Sequence, residues 1–309
     1  MMFNLFKKKP FAIQISDNRV SVMQLNGKLE NAKVTAAGQS DLAVGVVTEG
    51  IIMKAEDLAE AIRLLLKKAA PSSIKAKECV VVLAENQTYS QVFYFTEKLP
   101  ESELKRALDH QISLTIPIPF DEVVYSYCKY DTDKLRIVFV FAVKRSVIAS
   151  YTTFLKQQCG LTSIVFDPAA LSFIANLKLG LPKDNGVILI YLKDSTINWY
   201  LLWNSLLFDS NTLLWKDQEN LATDLQRSIG FFQEKTGFGM EKILIVDSTQ
   251  SYLELEKALA KLQLPIEKFE KFGVDMRDVS PKLEHSEILA GGALRAVDPT
   301  AGEFKINLL

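Results

Sequence analysis

Histidine and cysteine are scarce in this chain. There are two histidines, His110 and His285, and three cysteines, Cys79, Cys128 and Cys159, in 309 residues. None of their spacings resembles that of metal ligands, which argues against a thiolate–imidazole metal centre. An odd number of well-separated cysteines reads as reduced thiols in a reducing compartment rather than a disulfide framework. The pattern suggests no Ser or Cys partner for either histidine as a nucleophile to its base, so neither a catalytic nor a metal-ligating residue is expected. An excess of one charge is also missing: 36 basic residues face 37 acidic ones, for a net charge of -1. That removes the global electrostatic reason to bind nucleic acid. Long hydrophobic runs are absent too. A membrane helix needs about 18 apolar residues, and the longest candidate, 197–208, is interrupted by Asn198, Asn204 and Ser205. The opening MMFNLFKKK places its charges after its apolar residues, the reverse of a secretory signal. Phe3, Leu5 and Phe6 before Lys7-Lys8-Lys9 have the make-up of a weak membrane-surface contact; a frayed terminus is the simpler reading.

What the chain does have is apolar residues, 48% of the total, in a length sufficient for two domains. Phe11, Ile13 and Ile15 alternate, Asp17-Asn18 supply turn chemistry, and Val20 and Val22 alternate again, which predicts a hairpin. Asn26-Gly27 makes a second turn, and a third strand over 29–38 completes a meander. Helices are expected at 55–70, 147–158 and 168–177, a buried strand at 79–83 and a further strand at 135–143. A second meander is expected from Gly186, with strands at 186–193, 196–203 and 206–209. Helices at 219–234, 253–262 and 287–297 and a strand at 242–246 follow. The second half thus repeats the opening of the first.

The stretch from Leu99 to Tyr127 joins an amphipathic helix, with Leu104, Ala107, Leu108 and Ile112 on one face, to a proline break and a strand. Its spelling resembles a signature of the PilM family, the actin-like proteins of type IV pilus assembly. The resemblance rests on Leu99-Pro100, Glu103-Leu104, Ile116-Pro117-Ile118-Pro119 and Glu122-Val123-Val124-Tyr125. The KKK leader and the AGGALRAV segment at Ala290 to Val297 extend it to nearly the whole chain. The resemblance implies an α/β, actin-like (ribonuclease H-like) two-domain fold with an inserted α+β subdomain of the PilM/FtsA type. It places the first domain at 1–181, the insertion at about 80–160 and the second domain at 182–285. A helix at 286–298 returns to the first domain, and a tail occupies 299–309.

In that superfamily each domain offers a hairpin whose turn approaches the phosphates of ATP, with glycine for close approach and aspartate to organise Mg²⁺. Against a family form such as GIDIGSSSIKVVEL the first hairpin reads AIQISDNRVSVMQL, so Gln14 replaces the aspartate, Ser16 a glycine and Ser21 the lysine. In the second hairpin Tyr191 stands where the aspartate is expected and Lys193 where glycine is expected. Asp247-Ser248-Thr249-Gln250 replaces the adenosine-side glycines, and Gly291-Gly292 reads as close helix packing. Asp17, Asp194 and Asp247 remain as carboxylates near these elements. The resemblance therefore implies no cofactor and no ATP hydrolysis. ATP with Mg²⁺ on a noncanonical site is the alternative, and a sugar or acyl-phosphate kinase a more distant one.

The segment Ile306-Asn307-Leu308-Leu309 resembles the INLLP motif at the N-terminus of PilN, the membrane partner of PilM-family proteins. Two readings follow: a tail filling the chain's own or a neighbour's peptide groove, or a junction to a PilN-like segment. The resemblance implies a cytoplasmic scaffold at the inner face of the membrane, in type IV pilus or related type II secretion assembly. Its partner would be a PilN-like protein, with self-association through the tail and peripheral membrane association through partners.

Overall fold

The computed structural model describes residues 9–27, 31–96, 98–131, 135–177, 185–193, 195–203, 206–247, 251–275, 279, 283, 286–298 and 307–309. The chain divides into two compact units, 1–177 with 272–309, and 178–271.

The first unit opens with β1 (Phe11–Ile15), β2 (Arg19–Asn26) and β3 (Lys33–Asp41), an antiparallel meander. The short hairpin β4 (Val47–Thr48) and β5 (Ile51–Ile52) follows, then α1 (Ala55–Lys68) and the edge strand β6 (Ala70–Pro71). Next comes β7 (Glu78–Leu83), whose apolar run pairs in parallel with β1 and is buried on both faces. The insertion comprises β8 (Thr88–Phe95), α2 (Glu101–Thr115), β9 (Val123–Asp131) and β10 (Arg136–Lys144). The chain then rejoins the main sheet through α3 (Arg145–Cys159), β11 (Thr162–Pro168) and α4 (Ala169–Ala175). The six-stranded sheet has the order β11-β7-β1-β2-β3-β6.

The inserted layer is smaller than the expected 80–160. It is a separate three-stranded sheet, β8-β10-β9, bracketed by Thr88 and Lys144. The reason is register: β7 hydrogen-bonds to β1 on one side and β11 on the other, and α3 packs on α1 and β11. Both therefore belong to the main layer. Within the insertion, Leu104, Leu108 and Ile112 of α2 are fully buried against Val138, Val140 and Ala142, on the face the periodicity predicts. Polar contacts pin the same helix to β9: Tyr125 donates to Asp109, Tyr127 to Glu101, and Lys129 pairs with Glu101.

The second unit holds β12 (Gly186–Lys193), β13 (Thr196–Trp203), β14 (Leu206–Leu214), α5 (Leu221–Thr236), β15 (Met240–Asp247), α6 (Tyr252–Leu259) and β16 (Ile266–Lys268). Its sheet order, β14-β13-β12-β15-β16, matches β3-β2-β1-β7-β11 of the first unit. In each, an antiparallel meander continues through its first strand into parallel neighbours. The repeat seen in the sequence is thus a repeat of topology.

The chain returns to the first unit at Phe272 rather than at residue 286. Buried Asn176 explains this: it accepts from Gly273 N with its carbonyl and from Val274 N with its side-chain oxygen at 3.1 Å, and it donates to Glu287 O at 3.0 Å. The last helix, α7 (Ser286–Val297), crosses β2, β1 and β7 and packs on α4. A Cβ at Gly291 would lie 1.5 Å from Ser172 O, and one at Gly292 2.4 Å from Val82 Cγ2. Gly291-Gly292 is therefore a close-packing pair.

Candidate functional site

In the first unit, Gln14 pairs with Ser21 on β2 and with Val82 on β7, and Val82 pairs with Asp167 on β11. Cross-strand partners share a face, so these four residues form one row across the sheet. That face carries α7, because Gly292 abuts Val82 and Ala12, and Ala12 lies two residues from Gln14. Ser21 is buried and Gln14 half-buried. The position for a magnesium-organising acid thus holds a neutral amide among packed neighbours.

The turn between β1 and β2 is committed elsewhere. Ser16 Oγ donates to Asn18 Oδ1 at 3.0 Å and to Arg19 O at 3.1 Å. Both oxygens of the Asp17 carboxylate are engaged, accepting from Glu49 N at 2.7 Å and Gly50 N at 2.9 Å. Glu49 and Gly50 both have positive φ, +50° and +75°, as the two-residue turn of the β4–β5 hairpin requires. The sequence shows Asp17 as a carboxylate that can hold Mg²⁺; the structure shows it binding backbone amides. From the other side, Gln87 and the Tyr151 hydroxyl both donate to Gly50 O, at 3.1 and 2.9 Å. Burial pushes the Tyr151 hydroxyl's pKa up.

The second unit repeats this geometry with different chemistry. Tyr191 pairs with Asn198 as Gln14 does with Ser21. Tyr191 is fully buried and Asn198 nearly so. Asn198 Oδ1 accepts from Thr212 Oγ1 at 2.7 Å. Where an acid is expected, a phenol ring fills the core. Lys193 closes the strand opposite Thr196. The side chains of Lys193 and Asp247, together with Asp194, residues 248–250 and Ile306, lie outside the described residues. So does His285, while His110 is exposed on α2.

Asp167 and Arg295 escaped the sequence reading. Asp167 is wholly buried. It accepts from Ser172 Oγ of α4, and Arg295 of α7 lies 3.7 Å from its other oxygen. Burial raises its pKa, while Arg295 and Ser172 oppose that shift. This pair ties β11, α4 and α7 together. Its signal was a lone arginine inside an apolar helix. Burial likewise raises the thiols, Cys79 and Cys128 to about 12 and Cys159 to about 11, so none is an activated nucleophile.

One edge strand of the main sheet is β11, and residues 307–309 lie along it. Phe166 N donates to Asn307 Oδ1 at 3.2 Å, Asn307 Nδ2 donates to Ile164 O at 3.5 Å, and Leu308 N donates to Phe166 O at 3.3 Å. Leu308 is fully buried and Leu309 exposed. Three of the four residues singled out as partner-binding, Asn307, Leu308 and Leu309, are thus brought to a strand edge.

Comparison with known proteins agrees with this architecture. A search of curated proteins finds no match. Among solved structures, a chain of the "PilM-PilN type IV pilus biogenesis complex" superimposes with a TM-score of 0.73 at 18% identity, covering 95% of this chain and 100% of that one. The cytoplasmic domain of EpsL, an inner membrane component of the type II secretion system of Vibrio cholerae, gives 0.52 at 13% identity, covering 98% of each chain. A Bacteroides thetaiotaomicron protein with an actin-like ATPase fold gives 0.50 at 14%, covering 87% of this chain and 94% of that one. At these identities the likeness establishes the actin-like fold. The profile of the family described as "Type IV pilus assembly protein PilM" matches residues 12–187, more than half of the chain. The chain belongs to the PilM family of type IV pilus assembly proteins.

Proposed function

We propose that this protein is a cytoplasmic actin-like scaffold of type IV pilus, or related type II secretion, assembly. It binds the N-terminal peptide of a PilN-like inner-membrane protein and does not hydrolyse ATP. The observation that carries the non-enzymatic reading is the pair of equivalent hairpins. Gln14 and buried Tyr191 occupy the two acid positions, and the nearby Asp17 carboxylate spends both oxygens on backbone amides. A phosphate cradle needs free backbone N–H groups and a metal-organising acid, and among the described residues neither Gln14 nor Tyr191 can serve as that acid.

For the partner, the support is the family membership and the likeness to a chain of a PilM–PilN complex. Among the described residues no helix is long and apolar enough to cross a membrane. In this reading the scaffold reaches the membrane's inner face through its partner. Exchange of the 307–309 segment between copies is the route we assign to self-association.

The test is isothermal titration with ATP and Mg²⁺. No heat at millimolar nucleotide is expected, and no thermal stabilisation; a true ligand at 100 times its Kd would add about 2.7 kcal/mol. Micromolar binding would overturn the reading and favour a nucleotide-binding ATPase with a noncanonical site.

A further inference from the structure

The end of the main sheet where residues 1–8 join it is basic and carries a recess. β1, β3 and β7 begin at this end and β2 finishes there, since Phe11 pairs with Cys79 and Lys33 with Asn26. The segment leading into β7 reads Ser72-Ser73-Ile74-Lys75-Ala76-Lys77. Ile74 and Ala76 are buried, so the alternation of an extended chain turns Lys75 and Lys77 outward, and both are exposed. Two backbone bonds hold the segment: Ile74 N donates to Leu66 O at 2.9 Å and Thr162 N to Lys77 O at 2.7 Å. The first brings the last turn of α1, with exposed Lys67 and Lys68, beside it. Gln24 Nε2 donates to Lys9 O at 2.6 Å, which fixes the point where residues 1–8 enter. Lys9, Ser72, Ser73 and Lys75 line an open recess of about 420 Å³, and among its described lining residues there is no carboxylate. Among the described residues, none of Lys9, Lys67, Lys68, Lys75 and Lys77 takes part in an ion pair. Lys33, which has Asp275 bridged beside it, is left out of that count.

We infer that this end of the first unit docks directly on an anionic membrane surface. The lysines and the recess take lipid phosphate groups, and Phe3, Leu5 and Phe6 enter the boundary of the hydrocarbon. Residues 1–8 lie outside the described residues, and their sequence supplies the argument. Phe3, Leu5 and Phe6 precede Lys7, Lys8 and Lys9, and the chain from Phe3 to Lys9 reaches at most about 20 Å. A short apolar segment or a basic patch alone holds a protein only marginally at a membrane; the two together give stable attachment. Each lysine close to an anionic surface strengthens binding about fivefold, and salt screens the effect. The net charge of -1 does not oppose this, because the lysines act locally. A nucleic acid could use the same cations, but three apolar side chains joined to them favour a lipid, whose acyl region rewards their burial. The contact goes beyond the proposed function, since it needs no protein partner.

The experiment is flotation of the purified full chain with two kinds of vesicle, phosphatidylcholine alone and phosphatidylcholine mixed with phosphatidylglycerol. Binding is expected to the anionic vesicles only. It should fall at least tenfold in the double variant Lys75→Gln, Lys77→Gln, as the loss of two lysines implies, and as much in Phe3→Ser, Phe6→Ser. Thermal melting of the lysine variant should match the native chain, because both lysines are exposed. Raising the salt to about 0.5 M should remove most of the binding, and millimolar inorganic phosphate should not displace the vesicles. Equal binding to neutral vesicles, or to the lysine variant, would overturn the electrostatic contact. A lysine effect without a phenylalanine effect would overturn the insertion of the apolar segment. Phosphate binding at Lys75 without vesicle binding would make the recess a free-phosphate site, and binding of a DNA duplex without vesicle binding would make the patch a nucleic-acid face; either overturns the membrane contact. No binding to any vesicle also overturns it. That failure leaves the scaffold reading intact, because nucleotide and peptide titrations test that reading separately.

Discussion

The two halves of this protein start with the same meander and settle the equivalent position of its first strand by different physical means. In the first, the position across from Ser21 holds Gln14, half-buried and neutral, and the turn is tied by Asp17 to the 49–50 hairpin. In the second, the position across from Asn198 holds Tyr191, fully sealed in the core. One hairpin is tied down by hydrogen bonds and the other is filled with apolar volume. Substitutions at the two sites should therefore differ in size, and that difference can be tested.

The largest effect belongs to the filled hairpin. Tyr191→Ala leaves a cavity on β12 between β13 and β15, and truncating a buried aromatic of this size costs about 3–5 kcal/mol. Gln14→Ala, at the equivalent place on β1, is expected to cost less than about 1 kcal/mol, as half-buried polar sites without a large cavity usually do. Urea denaturation followed by tryptophan fluorescence compares them, since Trp199 and Trp203 both lie in β13. Equal losses would show that the two positions are packed alike.

The hydrogen-bonded hairpin has its own point of failure. Asp17→Ala removes the acceptor for two backbone amides at a turn whose two residues both sit at positive φ. Hydrogen bonds to charged groups contribute about 1.5–3 kcal/mol where buried; at this exposed site a total of about 1–2 kcal/mol is expected, with Asp17→Asn in between. The signature is local: the Glu49 and Gly50 amides should exchange faster, while amides of the second unit should not change. Unchanged protection at both amides would mean that Gln87 and Tyr151 alone hold the turn.

Much of this was legible in the sequence because it was written in period and punctuation. The alternation of Phe11, Ile13 and Ile15, the apolar run at 79–83 and the face of α2 each bury as their spacing requires. The repeat of meanders also survived, because it rests on strand order. What failed to show were features that depend on contacts distant in sequence. β7 looked like the start of the insertion because nothing local states that it pairs with both β1 and β11. Asp17 read only as a carboxylate left near the hairpin, because its partners lie 32 and 33 residues away. Asp167 and Arg295 find each other only when α7 returns across the sheet. For the 307–309 segment, the sequence offered the residues and a resemblance; the side-chain amide standing in for a peptide group is a matter of geometry alone.

The smallest effect tests whether the first hairpin could be rebuilt. Ser16→Gly removes the hydroxyl that donates to Asn18 and Arg19 but keeps the backbone bond from Ser16 N to Arg19 O at 2.8 Å. It should cost under about 1 kcal/mol, part of it the greater freedom of glycine in the unfolded chain. It restores the glycine that close approach of phosphate needs, yet leaves Gln14 without charge and Tyr191 in its core. ATP titrated into Ser16→Gly should therefore give no more heat than into the native protein. If the variant bound nucleotide, one Cβ would be all that separates the first hairpin from a working cradle. The two halves would then differ in their distance from a phosphate-binding form, the first by a single side chain and the second by a filled core.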